Sequence, residues 1–233
     1  MFTKKILAFA VVVAMMFGCF VPVFAMNVAP DVTGTEYQDL AAVLGALEIM
    51  VGDSETGNFR PEDDILRSEA ATVAIRELGL ENIAKSQSGT PKYPDVHEGH
   101  WATGYINVAT SQGIVVGDTA GTFRPDDVIT INEAAVIFTK MLGYETRAES
   151  SGSFPTGYMI VAQDLGLFRN IPASELNGNA KRGIIAKMAE NALEVKLMEQ
   201  NGDKYEVTEK TILFDKLGVT KAYDQVVATC SQD

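Results

Sequence analysis

One loop occurs twice in this chain, and the duplication limits what it can fold into. Residues 117–127 read Gly-Asp-Thr-Ala-Gly-Thr-Phe-Arg-Pro-Asp-Asp, and residues 52–63 read Gly-Asp-Ser-Glu-Thr-Gly-Asn-Phe-Arg-Pro-Glu-Asp. An apolar pair precedes each copy (Ile49 and Val51; Ile114 and Val116). A Glu-Ala-Ala helix start follows (Glu69-Ala70-Ala71; Glu133-Ala134-Ala135), closing on Leu78-Gly79-Leu80-Glu81 and Leu142-Gly143-Tyr144-Glu145. The period is about 64 residues, so the chain must be an array of like units that bury their faces against one another.

A third unit lacks the Phe-Arg-Pro loop but keeps its flanks. Gly157-Tyr158-Met159-Ile160-Val161-Ala162 parallels Gly104-Tyr105-Ile106-Asn107-Val108-Ala109, and residues 181–193 parallel residues 130–142. Polar linkers at 85–90 and 148–153 separate the units. The expected organisation is unit one over 26–85, unit two over 93–147, a degenerate unit three over 153–197, and over 198–233 either a tail or the start of a further domain.

Each unit reads as helix, turn-rich loop, helix. Tyr37, Leu40, Leu44 and Leu47 recur at helical spacing and predict one buried face, as do Trp101, Tyr105, Val108 and Ala109. Thr130-x-x-Glu133 is a capping box, whereas Leu66 in unit one supplies no cap. In the tail, Asn201-Gly202-Asp203 signals a turn. The β-branched runs 204–208, 211–214 and 225–229 predict strands. The expected fold class is therefore mainly α, with a small β-containing C-terminal tail.

Residues 1–25 read as a cleaved secretory signal: Lys4 and Lys5, an apolar run over 6–20, and the small-residue end Val23-Phe24-Ala25. Cleavage there removes two lysines, taking the formal charge from -12 to -14, and leaves Cys230 as the single cysteine. Cores rather than disulfides must then hold the exported chain. This acidity argues against nucleic acid and against anionic membrane surfaces as partners. An anionic ligand would need a few placed cations.

Taken together, Tyr93-Pro94-Asp95-Val96, Gly99-His100-Trp101-Ala102, Gly113-Ile114, Gly117-Asp118, Gly121-Thr122-Phe123-Arg124-Pro125 and Ile129-Thr130-Ile131-Asn132-Glu133 resemble the S-layer homology (SLH) repeat of bacterial surface proteins. The resemblance implies three tandem repeats in a pseudo-threefold helical spindle. It also implies grooves between repeats that bind secondary cell-wall polysaccharide attached to peptidoglycan, typically through a pyruvylated amino sugar. The expected protein is then non-catalytic, secreted, and held at the cell wall or S-layer without cofactors. The alternative is a structural, self-assembling surface-layer module whose degenerate grooves no longer bind sugar.

The family motif Thr-Arg-Ala-Glu survives in part as Leu66-Arg67-Ser68-Glu69 and Lys181-Arg182-Gly183-Ile184; in Thr130-Ile131-Asn132-Glu133 the arginine has become Ile131. The resemblance thus makes Arg67 and Arg182 the glycan ligands, with Glu69, Trp101, Gly117 and Asp118 around them. A helix N-terminus with an arginine fork suits a carboxylate. Each residue also has a plainer reading. The arginines could be paired with neighbouring acids, Glu69 and Glu133 could cap their own helices, and Trp101 could be a packing residue. Phe59 and Phe123 read as core anchors of their loops, and Arg60 and Arg124 as braces for the acids after the proline.

Enzyme chemistry has little support. His97-Glu98-Gly99-His100 is one residue short of the zinc-protease spacing and contains a helix breaker. Asp53-x-Glu55-x-Gly57 resembles a calcium loop only loosely, and its second copy is poor in oxygen ligands. With only two histidines, a nucleophile–base pair has almost nowhere to form.

Overall fold

A computed structural model describes residues 29–219. The expected signal segment, the 225–229 strand and Cys230 lie outside the described residues. The described chain is mostly helical with a small two-stranded sheet at its C-terminal end. Among the described residues no helix is long and apolar enough to cross a membrane.

The helices come as three pairs, each a nine-residue helix followed by an eleven-residue one. The first pair is α1 (Gln38–Ala46) and α2 (Arg67–Glu77). After the short α3 (Glu81–Ser86) come α4 (Thr103–Ser111) and α5 (Ile131–Met141). After the short α6 (Glu145–Ser150) come α7 (Thr156–Asp164) and α8 (Arg182–Ala192). The stops are local. Gly79, Gly113, Gly143 and Gly166 all take positive φ. The next residue's N–H then reaches back into the helix, as from Ile114 to the Ala109 carbonyl and from Leu167 to that of Ala162.

The long helices α2, α5 and α8 touch one another pairwise, and each carries a short helix from another pair: α4 lies on α2, α7 on α5, and α1 on α8. Just ahead of the long helices a closed triangle of main-chain hydrogen bonds ties the three pairs together. The Ile65 N–H donates to the Ala180 carbonyl at 3.0 Å, that of Ala180 to Ile129 at 2.8 Å, and that of Ile129 to Ile65 at 3.0 Å. All three residues are fully buried. Phe59 and Phe123 anchor their loops in the core as expected.

The tail folds as a hairpin, β1 (Lys196–Asn201) and β2 (Lys204–Thr211), turning at Gly202. It docks through the Met198 N–H on the Leu142 carbonyl and the Tyr144 hydroxyl on the Lys196 carbonyl. Two expectations change here. The strand expected over 211–214 is a helical turn, Ile212–Lys216, capped by the Thr211 side chain. Its apolar residues fill the base of the core instead of extending the sheet. The partner strand β1, mixed in composition, was not foreseen.

Candidate functional site

The Phe-Arg-Pro loops are built the same way in both copies. Asp31 accepts from the Phe59 and Arg60 N–H groups at 2.8 and 2.7 Å, and Asp95 accepts from Phe123 and Arg124 at 2.9 and 2.6 Å. This clamp holds Arg60 and Arg124 in the left-handed region, φ 57° and 59°. Asp31 went unremarked in the sequence reading. Its signal was available, since Pro30-Asp31-Val32 matches Pro94-Asp95-Val96.

Arg67 and Arg182 both reach out of their own helix–loop–helix segment into the next one. The Arg182 Nε donates to the Phe59 carbonyl at 3.0 Å, its fork meets Glu69 and the Val51 carbonyl at 3.4 Å, and its guanidinium lies 5.6 Å from the centre of the Phe59 ring. Arg67 repeats the pattern: Phe123 carbonyl at 2.9 Å, Glu133 at 2.9 Å, Phe123 ring at 5.1 Å. Both are nearly buried, 8% and 9% exposed. Burial lowers both guanidinium pKa values, with Glu69 and Glu133 opposing it. These arginines are buried braces between segments rather than surface cations.

Two other expectations are corrected. The N–H groups that open α2 and α8 are not available to a ligand carboxylate. Arg67 and Ser68 donate to the Asp127 and Pro125 carbonyls, and Arg182 and Gly183 to those of Asp63 and Pro61. Neighbouring loops thus use the helix N-termini that would otherwise favour an anion. Trp101, read more simply as a packing residue, is 55% exposed. It stacks on His100 at 5.9 Å, and His100 is held by Asp126 at 3.3 Å.

The predicted site residues divide between two seams. Arg182, Glu69 and Trp101 meet around a cleft of about 240 Å³, which Arg60, Thr72, Arg76 and Val51 also line. These four went unassigned as ligand residues, because the seam forms only when distant segments meet. Arg76 is ion-paired with Glu81 at 3.0 Å and lies over the Tyr105 ring at 5.5 Å. Burial lowers its pKa, but the hydrogen bonds to Glu81 and Tyr105 outweigh that and raise it.

In the second seam Arg67 meets Glu133, and Glu133 also meets Arg124 at 3.2 Å. Burial raises the Glu133 pKa, but the Thr130 hydrogen bonds and both arginines bring it below the usual range. Glu133 and Glu69 each accept the N–H of their own cap residue, Thr130 at 3.0 Å and Leu66 at 2.9 Å, as their plainer reading held. Asp118 pairs with Arg124 at 3.6 Å, but its oxygens chiefly accept from Ala120 and Thr122 within its own loop. Those bonds, with Thr122 foremost, lower its pKa. Gly117 serves close packing: a Cβ there would come within 2.6 Å of the Tyr93 ring. The braces foreseen for Arg60 and Arg124 are present, to Asp63 at 3.5 Å and Asp127 at 3.4 Å.

At the third seam the arginine position is Ile131, fully buried. The flank is occupied by Lys187, over the Tyr37 ring at 4.9 Å and paired with Glu36 at 3.1 Å. Asp53 accepts from Glu55 and Thr56 in an Asx turn. Among the described residues no group of three His, Cys, Asp or Glu side chains could hold a metal ion.

Comparison with known proteins places an S-layer homology domain at residues 92–135. The chain is 35% identical over 181 residues to the Middle cell wall protein of Brevibacillus brevis, covering 76% of this chain and 17% of that protein. It is 32% identical over 235 residues to a Cell surface protein of Thermoanaerobacter kivui, covering 99% of this chain and 29% of that protein. Over 86 residues it is 35% identical to the Cellulosome-anchoring protein of Acetivibrio thermocellus, covering 37% of this chain and 19% of that protein. The chain thus spans less than a third of the length of these relatives.

Proposed function

We propose that this chain, which carries an S-layer homology domain at residues 92–135, is a non-catalytic anchoring module of the cell surface. It binds the secondary polysaccharide of the cell wall and is located at the wall or S-layer. The cell-wall, surface-layer and cellulosome-anchoring names of its relatives support that location and role. Three tandem SLH repeats, over 26–85, 93–147 and a degenerate 153–197, form a pseudo-threefold spindle. The pairwise contacts of α2, α5 and α8 support that arrangement.

The observation that carries the reading is the Trp101 cleft. In a chain of net charge -12, three guanidiniums (Arg60, Arg76, Arg182) and one exposed indole converge on a single concave surface. An indole face covers the apolar face of a sugar ring, and arginine forks pair with a carboxylate such as that of a pyruvyl ketal. The proposed glycan contacts are Arg182, Glu69 and Trp101 in one seam, and Arg67 with Gly117 and Asp118 in the other.

The test is co-sedimentation with wall sacculi of the producing bacterium. The protein is expected to pellet with intact sacculi and to remain in solution once their accessory polysaccharide has been stripped. Pelleting equally with both would refute glycan anchoring.

A second reading, a self-assembling surface-layer module, is favoured by one observation: Arg67 and Arg182 spend their hydrogen bonds inside the protein. Ordered assemblies in wall-free buffer, together with no sacculus binding, would decide for it.

A further inference from the structure

The two arginine seams have the same construction but differ in four respects. Arg76 lines the Trp101 cleft. The corresponding residue of the second helix pair is a lysine, Lys140, which lines a cleft beside the hairpin and pairs with Glu145 as Arg76 does with Glu81. Arg60 meets Asp63 at 3.5 Å, whereas Arg124 is drawn to Asp118, Asp127 and Glu133 at 3.6, 3.4 and 3.2 Å. Arg182 holds its glutamate loosely at 3.4 Å, but Arg67 holds Glu133 at 2.9 Å. Lastly, the aromatic residues differ. Trp101 stands two residues ahead of Thr103 and Phe154 two ahead of Thr156, the first residues of α4 and α7. Those helices lie on α2 and α5 respectively, and Phe154, 58% exposed, holds in the chain ahead of α7 the position that Trp101 holds ahead of α4.

We infer that the seams are not equivalent: the cleft beneath Trp101 is the principal glycan site, and the Arg67 seam is mainly an internal clasp. The inference rests on the anchoring reading above. In the Trp101 cleft each of the three guanidiniums is held by one acid, Arg60 by Asp63 at 3.5 Å, Arg76 by Glu81 at 3.0 Å and Arg182 by Glu69 at 3.4 Å. An anionic sugar there competes with one carboxylate per arginine. Its indole offers a wider stacking face than phenylalanine, plus one N–H donor. In the Arg67 seam the guanidinium of Arg124 is divided among three carboxylates, and an anionic ligand would have to displace them. The third seam, with Ile131 and the Lys187–Glu36 pair, offers no arginine at this position.

The test exploits a feature of the composition: Trp101 is the single tryptophan of the chain. Its fluorescence therefore reports on this cleft alone, while pelleting reports on every seam. Trp101→Ala and Phe154→Ala both alter exposed side chains, so neither should unfold the protein, and circular dichroism checks that. Wild-type protein is titrated with polysaccharide released from the sacculi, and all three proteins are pelleted with intact sacculi. The expected result is a saturable change in tryptophan emission. Trp101→Ala should weaken pelleting about tenfold or more, and Phe154→Ala should stay within about twofold of wild type.

Wild-type pelleting with unchanged emission, or a Phe154→Ala loss equal to or greater than that of Trp101→Ala, overturns this inference and leaves anchoring intact. A wild-type protein that does not pellet with intact sacculi overturns the anchoring reading, and this inference with it.

Discussion

Arg67 shows how one side chain can serve two purposes. Its Nε and one arm of its fork bond a carbonyl and a carboxylate of the next segment, 56 and 66 residues away in sequence. Sequence alone made the arginine conspicuous, but its partners depend on the fold. Glu77 is the reverse case: nothing in the sequence marks it, yet it is fully buried, and both carboxylate oxygens lack a hydrogen-bond partner. Burial raises its pKa well above the usual carboxylate value. The sign follows directly. The folded state holds the proton more tightly than the unfolded chain, whose glutamates titrate near ~4.3. Stability is therefore fully present below that pH and declines as pH rises toward the folded-state value. Glu77→Gln cannot ionise, so its melting temperature should approach that of wild type near pH 4 and exceed it increasingly up to pH 8. A melting difference that stays constant across that range would show that Glu77 does not titrate as argued.

At the scale of elements, the two long helices with intact Glu69 and Glu133 start differently. Thr130 accepts from the Glu133 N–H at 3.3 Å while Glu133 bonds back to Thr130, a complete capping box. Leu66 has no side-chain oxygen, so α2 keeps only the glutamate half. Thr130→Ala is expected to cost about 0.5–2 kcal/mol, seen as a lower urea midpoint with unchanged slope. Leu66→Ala should show no comparable loss of capping, although it removes some packing. This difference was legible in the sequence because a cap spans four consecutive residues. The tail was less legible. Ile212, Leu213 and Phe214 form a short apolar run that fits strand and helix equally. Docking decides between them: the Leu213 N–H bonds the Leu193 carbonyl, and Thr211 caps the turn.

For the whole molecule, closure matters most. A linear repeat array can lose units from its ends stepwise. Here Ile65, Ile129 and Ala180 bond one another in a closed triangle, so the third segment supports the first as directly as the second does. Unfolding is therefore expected in one cooperative transition, with tryptophan emission and far-ultraviolet circular dichroism coincident in urea. Separate midpoints for the two probes would mean that the segments unfold independently.

The repeated loops, the helix pairs, the glycine stops and the Thr130 cap were all determined by the sequence itself, because each rests on residues a few positions apart. Tertiary structure alone decided that Trp101 faces outward, that the openings of α2 and α8 are filled by neighbouring carbonyls, and that Arg182 reaches a carbonyl 123 residues away. The physical reason is that a seam has no local signature. Its surface arises only when distant segments close the ring, and burial and hydrogen bonding across that boundary then set which charges remain available to a ligand.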